Sequence, residues 1–118
     1  MGTFAISTKD NGDYKYTYNN KRGKTVLTSL GYKSKEECKA AIIELMQNID
    51  KISVAKFKST SGKFFIRLLW NDNVLCTSRK FTTILRLEKA ITDILENVSK
   101  SELLDFTDFN FPEINFDE

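Results

Sequence analysis

"TSLGYKSKEECKAAI" (Thr28–Ile42) and "TSRKFTTILRLEKAI" (Thr77–Ile91) decide the fold. The stretches lie 49 positions apart. Each runs Thr-Ser, then an aromatic (Tyr32, Phe81), then a hydroxyl residue (Ser34, Thr83) ahead of an apolar repeat at helical spacing. In the first, Ser34 and Glu37 form a capping box, in which a hydroxyl and a carboxylate each satisfy an amide at the helix start. Cys38, Ala41, Ile42, Leu45, Met46 and Ile49 then follow as one stripe of a helix of about four turns. In the second, Thr82 or Thr83 is the cap, and Ile84, Leu87, Ile91, Ile94, Leu95 and Val98 are the stripe.

The same order holds upstream. Phe4 and Ile6 alternate with small and polar residues, and "KDNGD" (Lys9–Asp13) is a turn. In "DYKYTYNN", Tyr14, Tyr16 and Tyr18 share one face and Lys15 and Thr17 the other, the period of a half-buried strand. "NNKRGK" (Asn19–Lys24) is the next turn, and "TVLTSLG" a third, β-branched run. The second copy reads "KISVAKFKS", a turn at Gly62, "KFFIRLLW" with Phe64, Ile66, Leu68 and Trp70 on one face, a tight "NDN" turn (Asn71–Asn73), and "VLCTS". Gly12 and Gly62 are 50 apart, whereas Thr28 and Thr77 are 49 apart. The second hairpin turn is one residue shorter, a change a surface turn absorbs at little cost. The helices return into "KISVAKF" and "LLDFTDF" (Leu103–Phe109), so a strand after each helix can close its unit. One unit alone has a small apolar face and open sheet edges; two units together roughly double the core.

A chain of 118 residues with 41% hydrophobic residues and 14 aromatics supports one core. No apolar run approaches the roughly 18 residues that span a bilayer, and no secretory pattern opens the chain. The expectation is a soluble, cytoplasmic protein without a membrane role. Cys38 and Cys76 fit no metal spacing, and the chain contains no histidine. They read as small buried hydrophobes. All 18 Lys and Arg precede Ser101, against ten acids there, which leaves residues 1–100 at +8; residues 101–118 carry six acids and no base, hence −6. A basic body thus precedes an acidic tail.

Phe4-x-Ile6, Gly12-x-Tyr14-x-Tyr16 and Thr28-Ser29-x-x-Tyr32-x-Ser34 before a helix resemble the YegP-like family of small uncharacterised proteins. Gly62, Phe64, Ile66, Leu68, Ser78, Phe81 and Thr83 carry the resemblance in the second copy, and it spans about residues 3–98. It implies β3-α-β repeats that share one sheet and exchange their closing strands. It supplies no catalytic residues.

The chemistry visible in the sequence is sparse. Without histidine, the commonest general base and metal ligand is missing. The five glycines are scattered and form no phosphate loop. Ser29 and Ser78 recur and read as polar residues that fix the strand-to-helix bend. No cofactor or catalytic residue is assigned, and the protein is expected not to be an enzyme. Lys33, Lys35 and Lys39 open the first helix, and Arg79, Lys80, Arg86 and Lys89 occupy equivalent ground in the second. These seven are the candidate contacts for nucleic acid or another partner.

The fold expected is α+β, with two β-β-β-α-β repeats (about 3–50 and 52–109) related by a pseudo-twofold. An antiparallel sheet packs on two helices within one domain, 1–109, followed by an acidic, aromatic tail, 110–118. The role expected is that of a non-catalytic binding or interaction module, acting on a protein partner through a sheet edge or the tail, as monomer or homodimer. The alternative is nucleic-acid binding through the basic helix starts, modulated by the acidic tail.

Overall fold

The structure is a computed structural model that describes residues 2–105 and Thr107. Three strands lead into a helix: β1 (Thr3–Thr8), β2 (Tyr14–Asn19), β3 (Thr25–Ser29) and α1 (Lys35–Gln47). A 3₁₀ turn leads on to β4 (Ser53–Lys58), β5 (Phe64–Trp70), β6 (Asn73–Ser78), α2 (Ile84–Asn97) and, after a second 3₁₀ turn, β7 (Glu102–Asp105). The strands form one sheet in the order β4-β5-β6-β3-β2-β1-β7. Neighbours are antiparallel except β1 and β7. The α+β class and the mostly antiparallel sheet on two helices agree with the sequence reading.

Period-2 patterning sets the register. Phe4 and Ile6 stand opposite Tyr18 and Tyr16, and Leu68 stands opposite Cys76. These side chains share one cluster with Cys38, Ile42 and Leu45 of α1 and Leu87 and Ile94 of α2. Both helices therefore cover the same sheet face, and each fully buried aliphatic or aromatic side chain there contributes about 1.5–3 kcal/mol. The register shifts between Tyr18 and Asn19 and again between Leu68 and Leu69. The first shift lets the consecutive Val26 and Leu27 both enter the core. Asn71 and Asp72 take positive φ in the β5–β6 turn, the left-handed conformation those residues tolerate.

The corner between each third strand and its helix is built twice from the same bonds. The Ser29 hydroxyl accepts from the Tyr16 amide at 2.9 Å and donates to the Leu30 carbonyl at 2.7 Å. The Ser78 hydroxyl accepts from the Ile66 amide at 2.9 Å and donates to the Arg79 carbonyl at 2.7 Å. Tyr14 and Tyr32 exchange two backbone bonds, as do Phe64 and Phe81. Ser34 and Thr83 then cap the helices, each accepting from the amide three residues on at 3.1 Å.

Two findings differ from the sequence reading. Ile84 and Leu95, expected in the apolar stripe of α2, are 57% and 45% exposed. Leu95 lies on the solvent side of its turn beside the buried Ile94, and Ile84 sits at the end of the helix where no strand lies beyond β4. The strand after α1 does not close the first unit: β4 pairs with β5. The strand after α2 is β7, and it pairs with β1 in the other half of the chain, an exchange of the closing strand of the kind the resemblance implies. Only the beginning of "LLDFTDF" is in β7; Phe106, Asp108, Phe109 and the tail 110–118 lie outside the described residues.

An electrostatic clamp holds β7. The Asp105 carboxylate lies 3.3 Å from the Lys35 ammonium and 3.5 Å from that of Lys39, both on α1. Burial pushes this carboxyl upward, but bonds donated by the hydroxyl and amide of Thr107 and by Lys35 outweigh it and hold Asp105 well below the usual carboxylate range.

Ser29→Ala and Ser78→Ala each leave a buried amide and a carbonyl short of a partner. Each should lower the unfolding free energy by about 1–3 kcal/mol, read as a lower urea midpoint at unchanged slope. A loss near zero for either would refute the bridging role. For Asp105 the folded pKa lies below the unfolded value, so its contribution is complete above about pH 5 and is lost as pH falls through the folded value. Asp105→Asn should cost about 1 kcal/mol at pH 7 and progressively less as pH falls below about 4, read by chemical denaturation at a series of pH values.

A candidate anion-binding cleft

Three segments converge beside the N-terminal half of α2. The first is the β2–β3 turn. The Asn20 side-chain carbonyl accepts from the amides of Arg22 at 2.9 Å and Lys24 at 3.1 Å. Gly23 closes the turn at φ 84°, where an L side chain would be strained. The turn is thus locked by its own bonds and presents Lys21 and Arg22. The second is the β6–α2 corner, where the Arg79 amide donates to the Val26 carbonyl at 2.9 Å. This bond ties the corner to β3. The Arg79 guanidinium lies 5.3 Å from the centre of the Phe81 ring, which orients it by a cation–π contact. The third is α2 itself, where Arg86 and Lys89 are one turn apart on one side of the helix.

Between these segments lie two adjoining hollows. One, of about 250 Å³, is lined by the cations Lys21, Arg22, Arg79, Arg86 and Lys89, by one acid, Asp93, and by Asn20, Val26, Phe81 and Ala90. The other, of about 240 Å³, is lined by Arg79, Lys80, Arg86 and Lys89 with Phe81 and Thr82. Among the described residues, none of these six cations belongs to an ion pair. The acid in the lining, Asp93, accepts from the Asn97 amide group at 2.7 Å. Six like charges around a concave surface raise the local potential, and an anion relieves it.

Of the seven cations singled out from the sequence, the structure brings Arg79, Lys80, Arg86 and Lys89 together here. It does not bring Lys33, Lys35 and Lys39 to the cleft. Lys33 lies 3.4 Å from Asp13, and Lys35 and Lys39 face Asp105. Lys21 and Arg22 were missed by the sequence reading. They stand in a stretch legible only as a turn, and nothing local says which helix a turn will face.

The cleft offers charge and shape but no acid–base pair. Cys38 and Cys76 are free and buried within the core. Burial pushes their thiols up to about 11 and about 12, so both are protonated at neutral pH and neither is a ready nucleophile. Burial also raises the Tyr16 hydroxyl far above its ordinary value. Among the described residues, no group of three or more metal-ligating side chains occurs, and no helix is long and apolar enough to cross a membrane.

No family model and no curated protein matches the sequence. Two solved structures match the architecture. One is the solution structure of YegP from E. coli, described as a protein of unknown function. It has a TM-score of 0.79 and 22% identity, over 89% of this chain and 92% of that one. The other is the solution structure of a UPF0339 protein from Shewanella oneidensis, with a TM-score of 0.79 and 22% identity, over 88% of this chain and 90% of that one. Seven strands, two capped helices and a buried serine at each strand-to-helix corner thus make up a chain with the YegP-like fold.

Proposed function

We propose that this protein is a non-catalytic binding module whose basic cleft takes the phosphates of a nucleic acid. Six cations converge on one concave surface from three elements, without ion-pair partners among the described residues, and this carries the reading. Cations held for solvation alone are usually dispersed or paired, as Lys56 is with Glu88. Lys21, Arg22 and Arg79 stand on segments anchored by backbone bonds, so little ordering is required when a phosphate arrives. The module is a duplicated β-β-β-α-β unit with pseudo-twofold symmetry, its repeats at about 3–50 and 52–109 within one domain. The recurrence of the serine bridges, caps and paired aromatics at shifts of 49 and 50 supports that duplication. The cleft is nonetheless present on one half. The α1 cations at equivalent positions pair with acids, so binding is one-sided.

Fluorescence anisotropy of labelled single-stranded and duplex DNA and RNA checks this at about 50 and 200 mM salt. Micromolar binding is expected, falling about 10²-fold across that range if about four phosphates are contacted. Arg79→Glu with Lys80→Glu, or Lys21→Glu with Arg22→Glu, should weaken binding by about tenfold or more, while Lys33→Glu leaves it unchanged. Flat titrations at both salts would remove the nucleic-acid reading and leave the alternative, a protein-interaction module.

A further inference from the structure

The two edges of the sheet are unequal. At one edge β7 lies parallel to β1, with Leu103 opposite Phe4 and Asp105 opposite Ile6. At the other, β4 is the last strand, and among the described residues nothing pairs with its outer side. Counting along the chain, β4 holds the place in the second half that β1 holds in the first: Phe4 corresponds to Val54 and Ile6 to Lys56 at a shift of 50. The bare edge is flanked by a groove of about 330 Å³, lined by Phe57, Phe64, Ile84 and Leu87 with the Lys56–Glu88 pair. Ile84 at 57% and Phe57 at 39% exposure leave apolar surface beside unpaired backbone, the combination that receives an added strand.

The residues that meet β7 on α1 say what the groove on α2 would accept. Asp105 faces Lys35 and Lys39. At a shift of 49 these positions are Ile84 and Glu88, and Glu88 already pairs with Lys56 of β4. An added strand in the register of β7 therefore meets an apolar side chain where β7 meets two cations, so that strand needs an apolar residue in the place of Asp105. The lysines along the edge, Lys56 and Lys58, disfavour a second β4 as partner and favour an acidic strand.

We propose that this edge and groove bind residues 113–118 of a second copy of the chain, "EINFDE", as a strand parallel to β4. The register of β7 on β1, transferred to β4, puts Glu113 opposite Ser53, Ile114 opposite Val54, Asn115 opposite Ala55 and Phe116 opposite Lys56. Phe116 takes the place of Asp105 and enters the groove against Ile84, and Asp117 and Glu118 extend toward Lys58. The segment comes from a second copy because its own chain does not reach. The slot beyond β4 is seven strand spacings from β7, roughly 34 Å. The eight steps from Asp105 to Glu113 extend at most about 29 Å. Reciprocal exchange of two such segments closes a dimer.

The test uses the full chain, a chain ending at residue 112, and a fluorescein-labelled peptide of residues 108–118. Expected are concentration-dependent dimerisation of the full chain in sedimentation equilibrium, a monomeric truncated chain, and micromolar binding of the peptide to the truncated chain. Ile84→Asp, at an exposed position that the fold does not depend on, should weaken peptide binding by about tenfold, as should Phe116→Ala in the peptide. A monomeric full chain at all concentrations, or a peptide that does not bind, would overturn the proposal. Peptide binding insensitive to Ile84→Asp but abolished by Arg79→Glu with Lys80→Glu would also overturn it, because the acidic segment would then be docking in the basic cleft.

Discussion

Everything in this fold turns on a serine hydroxyl buried at a strand-to-helix corner. A chain leaving a central strand to cross over the sheet exposes a backbone amide on the neighbouring strand and a carbonyl of its own. The amide is buried and the carbonyl partly so, and the buried amide left unpaired would cost about 1–3 kcal/mol. Ser29 and Ser78 satisfy both groups with one atom. An alanine removes the donor and the acceptor together, and a threonine adds a methyl group where the corner is packed. The serine fixes the direction in which the chain leaves, the Tyr14–Tyr32 and Phe64–Phe81 bridges hold it for two more residues, and the caps Ser34 and Thr83 start the helix from there. Helix placement follows from the corner, and the shared core follows from helix placement.

Because the corners lie on the two central, mutually paired strands β3 and β6, the differences between the halves collect at the periphery. β1 is covered by β7 and β4 is bare. Lys35 and Lys39 hold an aspartate, while Ile84 is exposed and Glu88 holds a lysine. The β2–β3 turn carries Lys21 and Arg22, while the β5–β6 turn is Asn71–Asp72 in left-handed backbone. The core tolerates little change in volume and keeps the halves alike, whereas turn residues and edge strands are free to diverge.

The architecture was legible because it is local. Period-2 tyrosines, a stripe at helical spacing and a serine capping box announce themselves within a dozen residues, and Tyr16, Tyr18, Cys38, Ile42 and Leu45 are all buried. What was not legible depends on which elements become neighbours. Among the described residues no strand lies beyond β4, which leaves Ile84 exposed, and the periodicity of α2 carries no trace of that. The partnering of β7 with β1 is a contact between the two ends of the described chain; the family resemblance implied such an exchange, but no local pattern signals it. The site divides the same way. Arg79, Lys80, Arg86 and Lys89 could be named because the repeat put them at a helix start. Lys21 and Arg22 join them only through the β3–β6 pairing, which carries the β2–β3 turn across to the other half's helix.

The charge asymmetry of the chain takes its meaning from this placement. Asp105 is one of the six acids behind the −6 of residues 101–118, and its carboxylate meets the cations at the start of α1. One basic helix start is thus answered within the fold. The other, opening α2, has no acidic strand laid against it, and the β2–β3 turn adds two more cations to it. Had the basic character served solvation alone, the unanswered charges would be spread over the surface to lower their mutual repulsion. Instead they stand around two adjoining hollows that share Arg79, Arg86 and Lys89, where like charges lie close together. That concentration of like charge costs stability, and it is the observation on which the proposed anion-binding role rests.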